Sequence, residues 1–265
     1  MARTHNKHIR VFVDGVDISG YARSVGALNW AFDAEPDAAI TDAVKNILIG
    51  KCDIQAGPIS AFLDNDTAGL YVLAGKAAAG KGTRNLMVSI GTNAAPAKGD
   101  NVFAWKMEQT DYSVEQGSGF VAVNIPFGGS SSQGTLVYKK PWGHLLLPKT
   151  DLTSAGGVNT GTGIDDIAGT SALGGIFVYH LTASNGDLTL KAEDADGTNI
   201  DADFAASTLD TVATSGLIDA SVSPKHGMVA LSSTLAIKRY IRYQVAWGTA
   251  TTATFTVAFI RNNLP

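Results

Sequence analysis

One cysteine, Cys52, in a chain of 265 residues excludes an intrachain disulfide and any cysteine-built zinc site. It reads as a small buried apolar side chain. Charge is also sparse: Asp, Glu, Lys and Arg make up 17% of the residues, and the formal net charge is -4. A protein that grips nucleic acid needs a cationic surface to displace phosphate counterions, so this balance counts against that class. No apolar run approaches the roughly 18 residues of a membrane span. The opening MARTHNKHIR lacks the apolar core of a secretory signal. The expectation is a protein made in a cytoplasm, with no membrane partner. Chemical constellations are missing too. His5, His8, His144, His180 and His226 are scattered, with no Ser-His-Asp or paired-carboxylate spacing around them. They read as structural or solvated, and the chain as no enzyme, with no catalytic residue, cofactor or metal.

What is present points to β-structure. Apolar residues reach 45% and glycines number 29, a composition that builds real cores joined by turns. In HIRVFVDGVDIS, Ile9, Val11 and Val13 alternate with His8, Arg10 and Phe12, and Asp14-Gly15 turns the chain. In the last strand, ATFTVAFIR, Phe255, Val257 and Phe259 share one face while Thr254, Thr256 and Ala258 share the other. That pattern predicts a half-buried strand. The period changes once: Ile40, Val44, Ile47 and Leu48 recur at helical spacing before Gly50, predicting a short amphipathic helix over about Thr41–Ile49. The polar stretch GGSSSQG, Gly128–Gly134, is the best joint. It divides the chain into β-domains at 1–130 and 131–265, a length that suits two ordinary domains.

Three stretches imitate binding motifs. GKAAAGKGT places Gly75, Gly80 and Lys81 on a phosphate-binding loop pattern, but Gly82 stands where the magnesium-binding hydroxyl belongs and Thr83 comes one residue late. The following RNLMVSIG has strand character, whereas such a loop must open a helix. The expectation is an exposed structural loop. DADGTNIDAD, Asp194–Asp203, aligns Asp194, Asp196 and Gly197 with a calcium loop, yet Ala192 occupies the first ligand position and Asp203 the twelfth. A hairpin turn around Asp196-Gly197 is preferred. KRYIRY, Lys238–Tyr243, mixes basic and aromatic residues as some RNA-binding strands do. Read as a strand, it puts Ile241, Tyr243, Val245 and Trp247 on one face. Lys238, Tyr240, Arg242 and Gln244 take the other, a solvated face or one that meets a neighbouring subunit.

The order of pieces in the first half carries a resemblance. An opening strand leads into VDGVDISGYARSVGALNW, then the acidic DAEPDAAITDAVKN, a strand containing PISAFLDND, an exposed loop, and DYSVEQGSGFVAVNIPF. Over about Ile9–Gly129 this resembles the tail tube (major tail) proteins of long, non-contractile-tailed bacteriophages (siphoviruses). The resemblance implies a mainly β fold: a tail-tube-type β-sandwich or barrel with a short flanking α-helix, followed by a second β-sandwich or tube-like domain. It implies a structural virion protein, assembled in the host cytoplasm, whose stacked rings form a channel for DNA ejection. The partners it implies are further copies of the chain, the tape measure, the tail terminator and the tail tip. DNA would pass through the lumen without sequence-specific binding. A ring would hold six chains, or three in pseudo-sixfold array if the second half is itself tube-like. Asp33, Glu35, Asp37 and Asp42, with Lys76 and Lys81, are the candidate luminal or inter-ring contacts. Luminal carboxylates would repel a passing phosphate backbone. The alternative is a virion decoration or carbohydrate-binding β-module.

Overall fold

The computed structural model describes residues 6–36, 47–63, 83–92, 94–116, 119–129, 140–156, 163–165, 173–196, 213–219 and 225–262. The described residues are almost all strand, with two short 3-10 turns and no α-helix. In chain order the strands are β1 (Ile9–Val13), β2 (Val16–Asp17), β3 (Ala22–Val25), β4 (Leu28–Pro36), β5 (Ile47–Phe62) and β6 (Thr83–Ile90). Then come β7 (Asn101–Gln109), β8 (Ser113–Gln116), β9 (Val121–Gly128), β10 (Trp142–Thr153), β11 (Ile164–Asp165) and β12 (Gly175–Ser184). The last are β13 (Leu188–Ala195), β14 (Ala213–Ile218), β15 (Lys225–Ala230), β16 (Tyr240–Trp247) and β17 (Thr252–Arg261).

The chain forms two compact units, and they interleave. One unit comprises Met1–Gly20, Arg84–Lys106 and Gln133–Pro265; the other comprises Tyr21–Thr83 and Met107–Ser132. The sequence places a single joint near residue 130, whereas these units also exchange chain near residues 20, 83 and 106. Residues 130–139, most of the expected joint, lie outside the described residues.

The larger unit holds two sheets. The first runs β15-β12-β17-β10-β7-β6-β1-β2 and the second β11-β16-β13-β14. Between them lies an apolar core built by period-two alternation: Phe177 and Leu181 from β12, Leu188 and Leu190 from β13, Ile241 and Val245 from β16, Phe255, Val257 and Phe259 from β17. Tyr243 and Trp247 pack against the same core, so the apolar face read from KRYIRYQVAW is the inward one. The expectation of a half-buried β17 is corrected. Thr256, Ala258 and Ile260 on its other face are also buried, because β17 is a central strand between β10 and β12. Thr256 satisfies its hydroxyl there by donating to Leu147 O at 2.9 Å.

Close strand approach explains one glycine. A Cβ on Gly143 in β10 would stand 2.3 Å from Phe259 O and 2.7 Å from Ile260 Cα. Both are backbone atoms of β17 and cannot swing aside. Gly143→Ala is expected to cost about 1–3 kcal/mol or more through overpacking, measured as a lower denaturation midpoint at unchanged m-value.

The smaller unit is a single antiparallel sheet. β9 pairs with β5 on one side, and on the other with β8 and, further along, with Glu108 and Gln109 at the end of β7. β3 and β4 both pair with β5. The buried side chains include Ile54, Ala56, Ile59, Ala61, Met107, Val123, Ile125 and Phe127. Pro58 falls where the β5–β9 register shifts, between Ala56 and Ile59. A proline has no N–H to give the ladder, so the strand bulges there.

Two local expectations change here. Asp33–Pro36, read as the start of an acidic loop, continue β4. Residues 47–49, read as the end of a helix, open β5 and pair with Pro36, Glu35 and Ala34. Ile and Leu serve either state, and the cross-strand partner decides. Residues 37–46, with the rest of that loop and helix, lie outside the described residues.

Candidate functional site

A buried polar cluster grows from a tight turn in the larger unit. Asp14 and Gly15 have φ of 50° and 88°, and Val13 pairs with Val16 across them. Both central residues are therefore left-handed, as a two-residue type I′ hairpin requires, and Asp-Gly is a sequence that tolerates it. The turn points the Asp14 carboxylate at β6. Asp14 Oδ1 accepts the Asn85 N–H at 2.9 Å and Oδ2 accepts Arg84 Nη1 at 2.8 Å. The Asp14 N–H in turn donates to Asn85 O at 3.1 Å.

Two histidines complete it. The Gly15 N–H donates to His180 Nδ1 on β12 at 3.0 Å, so the His180 proton sits on Nε2. That Nε2 is buried and has no partner among the described residues. His226 on β15 lies directly across the ladder from His180. The two rings stack at 6.4 Å and 28°. Asn85 Nδ2 donates to His226 Nδ1, and His226 Nε2 stands 3.6 Å from Asp14 Oδ1. Burial, with His226 beside it, pushes the His180 imidazole down to about 3. Burial also lowers His226, against the pull of Asp14. Both rings are thus held neutral near pH 7. The cluster joins β1–β2 and β6, at one end of the first sheet, to β12 and β15 at the other. It acts as a neutral polar seam that curls the sheet on itself.

Neither Asp33 nor Glu35, the candidate contact residues that the structure describes, belongs to this seam, whereas His180 and His226, read from the sequence as scattered, meet in it. Asp33 lies at a register shift of β4, between Phe32 and Ala34, and Glu35 pairs with Leu48. Asp37, Asp42, Lys76 and Lys81 lie outside the described residues. The strand expected after Lys81 is present as β6, where a phosphate loop would continue as helix. Asp194 lies within β13, buried, with Oδ2 accepting the Lys238 N–H at 2.9 Å. The seam residues carry no fixed spacing; Gly15 and His180 are 165 positions apart. The Asp14-Gly15 turn was the one part legible in advance.

The KRYIRY cations are matched by carboxylates. Arg239 grips Asp165 with Nε to Oδ1 at 2.8 Å and Nη2 to Oδ2 at 2.7 Å. Arg242 Nε donates to Glu193 Oε2 at 2.8 Å, and Lys238 Nζ lies 4.0 Å from Asp196. Cations already neutralised release few counterions from a phosphate backbone. The predicted solvated face is corrected as well: Arg242 and its partner Glu193 are buried.

The smaller unit presents a different surface. Phe62, Val114, Phe120 and Val121 are exposed large apolar side chains. Phe62 and Phe120 meet edge to face at 5.6 Å, and the Arg23 guanidinium lies 4.2 Å from the Phe120 ring centroid and 5.3 Å from that of Phe62. Among the described residues β8 pairs with β9 alone and β4 with β5 alone, so each leaves an open edge. Val114 pairs with Val123 and points to the same face. It is thus a core-side residue left uncovered at the rim.

No family model matches this chain. No curated protein matches it either. Among solved structures, it is similar to the SPP1 Dit (gp 19.1) protein, described as a paradigm of the hub adsorption apparatus in Gram-positive-infecting phages. The identity is 12% and the TM-score 0.32, over 96% of this chain and 99% of that one. It is also similar to the phage p2 baseplate in its activated conformation with Sr, at 10% identity and TM-score 0.32, over 97% of this chain and 99% of that one.

Proposed function

We propose that this chain is a structural, tail-associated protein of a bacteriophage virion, and within the tail a tube subunit that assembles with copies of itself. The observation that carries the reading is the smaller unit's open sheet. Among the described residues its rim strands β4 and β8 are each paired on one side only, and Phe62, Phe120, Val121 and Val114 lie exposed on it. Unpaired edges and clustered apolar surface are liabilities in a monomer and assets in a subunit. Pairing one copy's β8 with the next copy's β4 would be a head-to-tail contact, which closes into rings when the rotation permits. The order of elements in the first half supports the tube assignment. The unequal build of the two units, one with two sheets and one with a single sheet, favours six chains per ring over three. No catalytic step is assigned to the chain.

Electron microscopy and sedimentation of the purified protein test this. Rings or tubes are expected, with six copies per turn. Phe62→Ser combined with Val114→Lys should give a folded protomer that sediments as a monomer. A wild-type protein that stays monomeric in solution and is absent from rings in virions would sink the tube reading. Normal rings from the double variant would remove the role of this surface.

A further inference from the structure

Apart from the seam and the open sheet, the larger unit holds a cavity of about 70 Å³ lined by Arg10, Phe12, Ser89, Ala95, Pro96, Pro148 and Lys149. It is several times the roughly 10–15 Å³ that one water needs on this measure. Three strands and one loop build it. Arg10 on β1 pairs directly with Ser89 on β6, so both side chains stand on one face, and Phe12 follows on that face two residues later. Pro148 and Lys149 enter from β10 at a place where its register with β17 shifts, between Leu147 and Thr150. Pro148 cannot donate to the ladder, and the resulting bulge re-aims the next side chain. Ala95 and Pro96 come from the loop after Gly91, whose N–H is anchored on His8 O at 2.9 Å.

The donors in this cavity outnumber their acceptors. Arg10 Nη1 is pinned by Lys7 O and Ile9 O, both at 3.1 Å. That fixes the guanidinium plane and leaves Nε and Nη2 with no partner among the described residues. Lys149 Nζ gives one hydrogen bond to Asp17 Oδ2 at 2.8 Å and keeps two further N–H groups. Ser89 is only 2% exposed, and its hydroxyl has no partner among the described residues. Phe12, Pro96 and Pro148 make the remaining wall apolar. Asp17, the carboxylate that Lys149 contacts, has its oxygens already engaged by Lys149 and Ser19.

We propose that this cavity is a binding site for a small tetrahedral oxyanion of the phosphate class, held by Arg10 Nε and Nη2, the Ser89 hydroxyl and Lys149 Nζ. A planar guanidinium fork presents paired N–H groups at the spacing of phosphate oxygens, and a buried hydroxyl adds a third donor. The apolar wall keeps competing water from that side. The free anion is preferred to a diester, which carries less charge and fewer free oxygens for these donors.

Nitrogen-edited NMR of the full chain tests the site, titrating sodium phosphate against sodium chloride at matched ionic strength. The amides of Arg10, Ser89 and Ala95 should shift saturably with phosphate, with a dissociation constant on the order of millimolar, and should not respond to chloride. Arg10→Gln should weaken binding at least about tenfold, as the loss of charged hydrogen bonds implies. Arg10→Lys, which keeps the charge and removes the fork, should weaken it as well and covers the case in which the glutamine variant fails to fold. Dimethyl phosphate should bind far more weakly. An unsaturable response, equal shifts with chloride, undiminished binding in Arg10→Lys, or dimethyl phosphate binding as well as phosphate would each overturn the proposal.

Discussion

Equilibrium unfolding in urea should show stability that is complete above about pH 6.5 and falls steadily as the solution is acidified toward pH 3. The cause is His180, whose imidazole is held down to about 3 by burial, with an ordinary value of 6.5. Between those values the unfolded chain binds a proton that the folded chain refuses. Stability therefore falls with decreasing pH, by up to ~1.4 kcal/mol per unit and about 4–5 kcal/mol across the window as an order of magnitude. The charged groups around the pair are Asp14, Arg84, Lys106 and Lys225, three cations to one carboxylate, so the field opposes a further positive charge. Two carboxyls modify this trend, one adding to it at the acid end and one opposing it. Asp17 is depressed: burial raises it, but Lys149 and Ser19 more than offset that. Its contribution is lost only below about 3.8. Asp194 is raised, chiefly by burial, and gains stability on acidification. His180→Asn isolates the imidazole, since an asparagine oxygen can accept the Gly15 N–H without titrating. Its stability should depend much less on pH through this window, and a slope equal to that of the wild type would remove His180 from the account.

Arg242→Ala is expected to destabilise the larger unit by about 3–5 kcal/mol. Arg242 and Glu193 are directly paired across β16 and β13, are 9% and 4% exposed, and are joined by the 2.8 Å Nε–Oε2 bond. Removing the guanidinium strands a buried carboxylate, and that desolvation dominates the cost. The double variant Glu193→Leu with Arg242→Met should recover most of the loss, because a well-packed apolar pair bears no desolvation penalty. A double-mutant cycle read by denaturant midpoints measures the coupling. Additive losses in the double variant would show that the two side chains act separately.

The strands were legible wherever alternation was local. β1, β6, β9, β12 and β17 each announce themselves by a face of Val, Ile, Leu or Phe. What eluded the sequence was decided across long separations. The acidic stretch that opens at Asp33 reads as a loop, yet pairing with the start of β5 carries β4 on to Pro36. The helical spacing of Ile40, Val44 and Ile47 ends in residues that pair with β4 instead. The basic stripe of KRYIRY looked solvated because its acids, Asp165 and Glu193, lie 74 and 49 positions away. The seam was invisible for the same reason. No local pattern tells Asp14 that His180 and His226 will face it. The cavity also depends on partners far apart, although Pro148 inside an apolar strand was a readable sign of a bulge.

The central place of β17 also governs the order in which the protein can be completed during synthesis. The smaller unit has its last strand once residue 128 has left the ribosome. The first sheet of the larger unit waits for Thr252–Arg261, the strand that separates β10 from β12. Until it arrives, both of those strands hold an unpaired flank, and the seam that joins the ends of the sheet has no curled sheet to fasten. The nascent chain thus passes through a period of more than a hundred residues with one unit formed and the other exposed to wrong pairing. Emergence of Thr252–Arg261, rather than any earlier collapse, is the step at which this fold becomes committed.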